Sequence, residues 1–171
     1  LIGWGDGGGG PNQEMVEQVR AMNEIDALPD LEFDELKSFF AELAEQKEML
    51  DLVTDSCEYL IEKIEPGIKV SEIVLMGDNY LKDKGVSLSQ KQDDPDQIYA
   101  AYPPHWGHGI GMTWERPWLV KSEDIVIEAN MFLAVEKALY KPELGTVSYE
   151  QNLLVTEQGT EVLTKSKKKW Y

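Results

Sequence analysis

The sequence predicts an α+β fold in which helices pack on one face of a curved, mostly antiparallel sheet. Two observations carry that prediction. Apolar residues recur at helical spacing up to Gly85, whereas beyond Gly107 they fall into short runs punctuated by Gly and Pro. The two textures also stand in separate halves of the chain instead of alternating, which is the order of an α+β protein and not of βαβ units. No internal repeat is found.

Taken in order, residues 1–11 hold six glycines in their first ten positions and then Pro11. Such a segment carries too much backbone entropy for regular structure and reads as flexible. Residues 12–46 read as a helical N-terminal segment. Asn12 is a plausible cap for a helix over Glu14–Ile25, with Met15, Val19 and Met22 on one side, and Leu28-Pro29-Asp30 breaks it. A second helical pattern starts near Phe33. In its later part Met49, Val53, Cys57, Leu60 and Ile64 follow at intervals of four, four, three and four, one apolar stripe that must be buried. Pro66-Gly67 stops this pattern, and Val70–Lys84 forms a further amphipathic helix with Gly85 in the C′ position. Residues 90–104, polar and proline-containing, read as a solvated loop. Strands are expected at Gly107–Thr113, Ile125–Ile127, Met131–Tyr140, Thr146–Thr156 and Glu161–Thr164, followed by a basic tail over 166–171.

Composition excludes several classes of function. Across 171 residues, 32 Asp+Glu against 16 Lys+Arg give a formal charge of −16. That charge repels phosphate backbones and anionic lipid, so neither nucleic acid nor a membrane surface is an expected partner. At 42% hydrophobic with five Trp, seven Tyr and four Phe, the chain has the apolar content of a folded domain. Cys57 is the only cysteine, so no intrachain disulfide forms. The longest apolar run, Ile125–Val135, is interrupted by Glu128 and Asn130 and falls short of the roughly 20 residues of a spanning helix. With no basic start and apolar core of a signal peptide, a cytoplasmic setting is expected.

The most informative window is Gly107-His108-Gly109-Ile110-Gly111. Glycines on both sides leave the imidazole accessible, as a metal ligand requires. Cys57, on the apolar stripe, reads as a buried and inert thiol. His105, beside Pro104 and Trp106, reads as an ordinary loop residue. The glycine run at residues 7–10 lacks the preceding strand and the following Lys-Ser/Thr of a phosphate-binding loop.

After the GHGIG segment come Glu115-Arg116-Pro117, then Met131-Phe132-Leu133-Ala134-Val135-Glu136, then Gly145–Glu150 and the closing Asn152–Thr164 stretch. This order resembles the C-terminal half of the pita-bread superfamily, which includes methionine aminopeptidase, aminopeptidase P, Xaa-Pro dipeptidase and creatinase. The resemblance covers about residues 47–165, and Ile64-Glu65-Pro66-Gly67 is similar to the family's turn between two helices. It implies that His108, Glu136 and Glu150 fall on three of the five ligands of a dinuclear metal site. His108 and Glu136 would also take part directly in catalysis. Two glutamates set in apolar strands are costly to bury without a compensating cation, and one imidazole with carboxylates suits Mn, Fe, Co or Zn.

The sequence departs from the family's pattern in several places. The two aspartate ligands, normally on a hairpin of D-x-G and S-D-x-T-R type, have no counterpart, because Asp6-Gly7 lies in the glycine run with no strand before it. The histidine that usually follows the GHGIG segment is missing, and Trp114 stands near its place. Lys137 replaces the proline that usually follows the first glutamate, and Gln151 the aspartate after the second. The resemblance implies a metal-dependent hydrolase of small peptides or amide-like substrates, working through metal-activated water, with a short-peptide or small-molecule substrate and a second copy of the chain in a homodimer as partners. A non-catalytic or incomplete homologue acting as a binding module, or a member cleaving a non-peptide bond, are the alternative readings. The passage from residues 33–46 into the family-like Lys47–Ile64 stretch is compatible with sequence absent from these 171 residues.

Overall fold

The computed structural model describes residues 33–101 and 104–165, with side chains from residue 41 onward. The expected helix over Glu14–Ile25, the glycine run and the basic tail from residue 166 lie outside the described residues. Contacts divide the chain into two units, Met49–Ser166 and Leu1–Glu48 with Lys167–Tyr171. Every strand, and the leading helix from Met49 on, belongs to the first unit.

Helix α1 runs Phe33–Ile61, starting where the sequence placed the second helical pattern. Its stripe is buried as expected: Met49, Val53, Cys57 and Leu60 are all shielded from solvent. Ile64, also buried, lies past the last helical turn, since the helix ends at Ile61 and not at Pro66. Helix α2, Val70–Asp83, turns Val70, Ile73, Val74 and Leu81 into the same core. It stops at Gly85, whose φ of 81° a side chain would strain.

Six strands follow: β1 Tyr99–Ala100, β2 Gly107–Ile110, β3 Trp114–Trp118, β4 Phe132–Lys141, β5 Gly145–Thr156 and β6 Gly159–Val162. They form one sheet in the order β3-β2-β4-β5-β6, with β1 also pairing β4, and every pairing is antiparallel. Three expectations are corrected here. Tyr99–Ala100, expected in a loop, pairs with Tyr140 and Leu139. Trp114–Trp118 is a strand despite Pro117, because it is the sheet's edge and needs no donor on its outer side. Ile125–Ile127 is not a strand: Val126 makes a single bridge to Lys69, and Ile127 is a fully buried core residue.

The sheet has two unlike faces. Leu133, Val135 and Leu139 of β4, with Leu153 and Val155 of β5, are fully buried on one. Helix α1 covers that face, since Glu58 Oε1 accepts a 2.7 Å hydrogen bond from the Tyr149 hydroxyl and the Cys57 thiol lies against the Tyr149 carbonyl. Burial pushes the Cys57 thiol up to about 12. Alternation along β4 and β5 sends the intervening residues to the opposite face.

Candidate metal centre on the open face of the sheet

The register of three strands assembles a polar group on that opposite face. Glu136 of β4 stands directly across from Glu150 of β5. His108 of β2 pairs with Ala134, two residues before Glu136 and on its side of the sheet, and Ala134 pairs in turn with Asn152. Histidine, two glutamates and an asparagine therefore share one face. No slip of register preserves this, because a shift by one residue would turn every side chain over.

Gly107 lets β2 come this close. Its φ is 130°, and a Cβ there would overlap the carbonyl oxygen of Ala134. A bulge between His108 and Gly109 then re-aims the strand toward β3. The result sets His108 between two tryptophans, with ring centroids 5.2 Å from Trp114 and 5.8 Å from Trp118. Trp114, where the resemblance expected a histidine, thus shields one side of the imidazole.

His108 is buried, and its Nδ1 donates to the Gly109 carbonyl at 2.9 Å. A carbonyl can only accept, so Nδ1 carries a proton and Nε2 is the ring nitrogen turned toward Glu136. That nitrogen stands 3.8 Å from Glu136 Oε1. An acceptor facing a carboxylate is electrostatically unfavourable unless a cation or proton lies between them. A backbone carbonyl holding the far nitrogen is also the usual way a ligating histidine is oriented.

His105, read from the sequence as an ordinary loop residue, belongs to this group. The Glu136 amide donates to the Trp106 carbonyl at 3.0 Å, extending the β2–β4 ladder back by one residue. His105 is thereby brought beside β4, with its Nδ1 3.4 Å from Glu136 Oε1 yet in no hydrogen bond. Burial holds its pKa below the ordinary value, against the pull of Glu136. No sequence signal points to this placement, because an odd spacing from His108 puts two residues on opposite sides of a regular strand and only the departure before β2 aligns them.

Electrostatics mark the same place. Glu150 keeps contact with solvent, yet surrounding protein displaces enough water to raise its carboxyl above the ordinary value, with Glu136 adding to the rise and His108 opposing it. Asn152 Oδ1 is buried without a hydrogen-bond partner. The donor set, one imidazole nitrogen and two carboxylates facing each other, suits a divalent cation in chemistry. It is not a complete coordination sphere: among the described residues no group of three His, Cys, Asp or Glu converges closely enough to hold an ion.

Comparison with known proteins establishes the family. Residues 36–157 match the metallopeptidase family M24. The chain is 27% identical over 125 residues to the Xaa-Pro dipeptidase of Pyrococcus horikoshii, a match covering 72% of this chain and 32% of that protein. It is 31% identical over 122 residues to an uncharacterised peptidase of Staphylococcus aureus, covering 70% and 31% of the two. Among solved structures, the Xaa-Pro dipeptidase from Bacillus anthracis superposes with a TM-score of 0.60 at 29% identity, over 73% of this chain and 32% of that one. The X-Pro aminopeptidase from Thermotoga maritima, at 21% identity and a TM-score of 0.62 over 73% and 32%, shares the fold. The chain thus spans about a third of the length of the relatives it matches. The mixed helix and open antiparallel sheet is the pita-bread arrangement of these neighbours, and with most of its length matched the chain belongs to metallopeptidase family M24.

Proposed function

We propose that this chain supplies the His108, Glu136 and Glu150 side of a divalent-metal site in an M24 hydrolase that cleaves small peptides, Xaa-Pro dipeptides first among them. The observation that carries the proposal is the Nε2 of His108 set 3.8 Å from the Glu136 carboxylate, with Glu150 opposite on the next strand. An imidazole and two carboxylates gathered on one face of the sheet suit a cation that offsets their charge. Mn, Fe, Co and Zn all accept this donor set, and such an ion when bound supplies an activated water.

The chain's own residues perform distinct tasks. Gly109 holds the His108 ring through its carbonyl, leaving Nε2 as the nitrogen that can meet an ion. Glu136 and Glu150 bring two negative charges, and Glu136 has a second imidazole, that of His105, at hand to exchange a proton. Trp114 and Trp118 limit water around His108. The two aspartates expected by resemblance are not among these groups, so the remaining donors come from outside the described residues. A cytoplasmic setting, read from the single cysteine, is part of the same proposal. Among the described residues no helix is long and apolar enough to cross a membrane.

Hydrolysis of an Xaa-Pro dipeptide with added Mn, Co or Zn tests the activity. The 171-residue chain alone is expected to turn over negligibly. The same chain joined to a strand hairpin carrying the two aspartates is expected to gain metal-dependent turnover that His108→Ala abolishes. Turnover that His108→Ala leaves unchanged defeats the proposal.

A further inference from the structure

On the helix-covered side of the sheet, on the face of β4 opposite Glu136, a cleft of about 440 Å³ opens between α2, the segment after it and the loop that follows β3. Its volume lies in the range of small-molecule sites. Leu88, Ala100, Pro104 and Val120 give it a largely apolar lining, and Asp78, Lys121 and Lys137 bring charge to it.

Lys137 is the unusual member. It is only 4% exposed, and it points to the face of β4 that otherwise carries Val135 and Leu139. Its Nζ donates one hydrogen bond, 3.1 Å to the His105 carbonyl, and sits 5.0 Å over the Trp106 ring. Of three N–H donors one is accounted for among the described residues. The carboxylate nearest to serving as its counter-ion is already engaged, since Asp78 Oδ2 lies 2.6 Å from Lys121 Nζ and Asp78 Oδ1 accepts from the Trp106 indole at 2.9 Å. With Lys137 protonated, Asp78 and Lys121 cancel and the cleft carries one net positive charge in a chain whose net charge is −16.

A buried ammonium without a paired carboxylate is costly. A ligand carboxylate would supply both the missing charge and acceptors for the remaining donors. One net positive charge balances a monocarboxylate and leaves a phosphate dianion uncompensated, while the apolar lining accommodates a hydrocarbon or aromatic body. From this we infer that the cleft is a binding site for a small organic monocarboxylate, anchored by Lys137 with Lys121 at its mouth. The inference does not depend on the metal proposal, because the cleft uses the opposite face of β4 and none of the three proposed ligands.

The test uses 4-fluorophenylacetate as probe, read by ¹⁹F NMR line broadening on the full chain in metal-stripped buffer, so that no ion can hold the carboxylate. The neutral isostere 4-fluorophenylacetamide serves as control. The acid is expected to bind and the amide to bind roughly tenfold or more weakly, the usual consequence of losing a charge-assisted contact. Lys137→Met, which keeps the stem's bulk and removes the charge, is expected to weaken the acid by a similar factor. Ser122→Trp, at an exposed position of the rim, is expected to block entry without touching the core, and it keeps the test decisive should Lys137→Met fail to fold. No broadening of the acid at up to about 10 mM, equal binding of acid and amide, or unchanged binding in either folded variant overturns the inference.

Discussion

Replacing Gly107 by alanine should break the joint that brings His108 to Glu136. The added Cβ would overlap the Ala134 carbonyl oxygen and lie 2.8 Å from its carbon and 3.1 Å from Val135 Cα, all backbone atoms of a central strand that cannot swing aside. A shift large enough to relieve the clash strains two flanking hydrogen bonds, Leu119 N–H to Gly107 O at 2.9 Å and Glu136 N–H to Trp106 O at 3.0 Å. Each is worth about 1 kcal/mol. The φ of 130° adds about 1–3 kcal/mol of strain for any residue with a Cβ. Gly107→Ala is therefore expected to cost about 3–5 kcal/mol, a large share of an ordinary domain's stability. Gly145, with a φ of 99° and open space for 4 Å around the position a Cβ would take, provides the control, and Gly145→Ala should cost only about 1–2 kcal/mol. Urea unfolding followed by far-UV circular dichroism measures both. Equal costs for the two variants would refute the claim that close packing of β2 on β4 positions the histidine.

Three further outcomes are expected. Glu150→Gln should stabilise the metal-free protein by about 0.2–1 kcal/mol in thermal unfolding at neutral pH, because it removes a like charge directly opposite Glu136; a loss of stability would show that the pair is not repulsive. Cys57 should resist a thiol reagent at pH 8 in the native state and react on denaturation, and since its folded pKa of about 12 exceeds the ordinary value of 9.0, the unfolded chain releases the proton first. Its contribution to stability is thus present below pH 9 and falls as pH rises from there toward 12, a slope that Cys57→Ala should reduce in alkaline urea titrations. Asp78→Ala should cost about 1–3 kcal/mol by leaving the buried Trp106 indole N–H without its acceptor, with a change in tryptophan emission accompanying the loss.

The helices were legible because a single apolar stripe at 3.6-residue spacing has few alternatives. Met49, Val53, Cys57 and Leu60 are buried where that stripe places them, and Gly85 ends α2 with the positive φ that its position requires. The long strands β4 and β5 were legible as apolar runs set off by Gly and Pro. The failures share a cause, which is that short or edge elements take their conformation from a partner and not from their own residues. Tyr99–Ala100 is a strand only because Leu139 and Tyr140 are there to pair. Trp114–Trp118 carries a proline and two charged residues that local propensity rejects, and the sheet edge tolerates them. Ile125–Ile127 has strand-like composition and no neighbour to form a ladder with beyond one bridge. His105 escaped notice for the same reason, since its place beside Glu136 is set by a pairing of Trp106 that no spacing rule contains.

The central claim is that His108, Glu136 and Glu150 are ligands of one divalent ion, and titration of Mn²⁺ followed by electron paramagnetic resonance tests it most directly. The account predicts that the 171-residue chain binds a single ion with modest affinity, because three donors neutralise and dehydrate a cation less well than a full set, and that His108→Ala, Glu136→Gln and Glu150→Gln each weaken that binding by about tenfold or more. Binding of the same stoichiometry and affinity in Glu136→Gln and His108→Ala would contradict it.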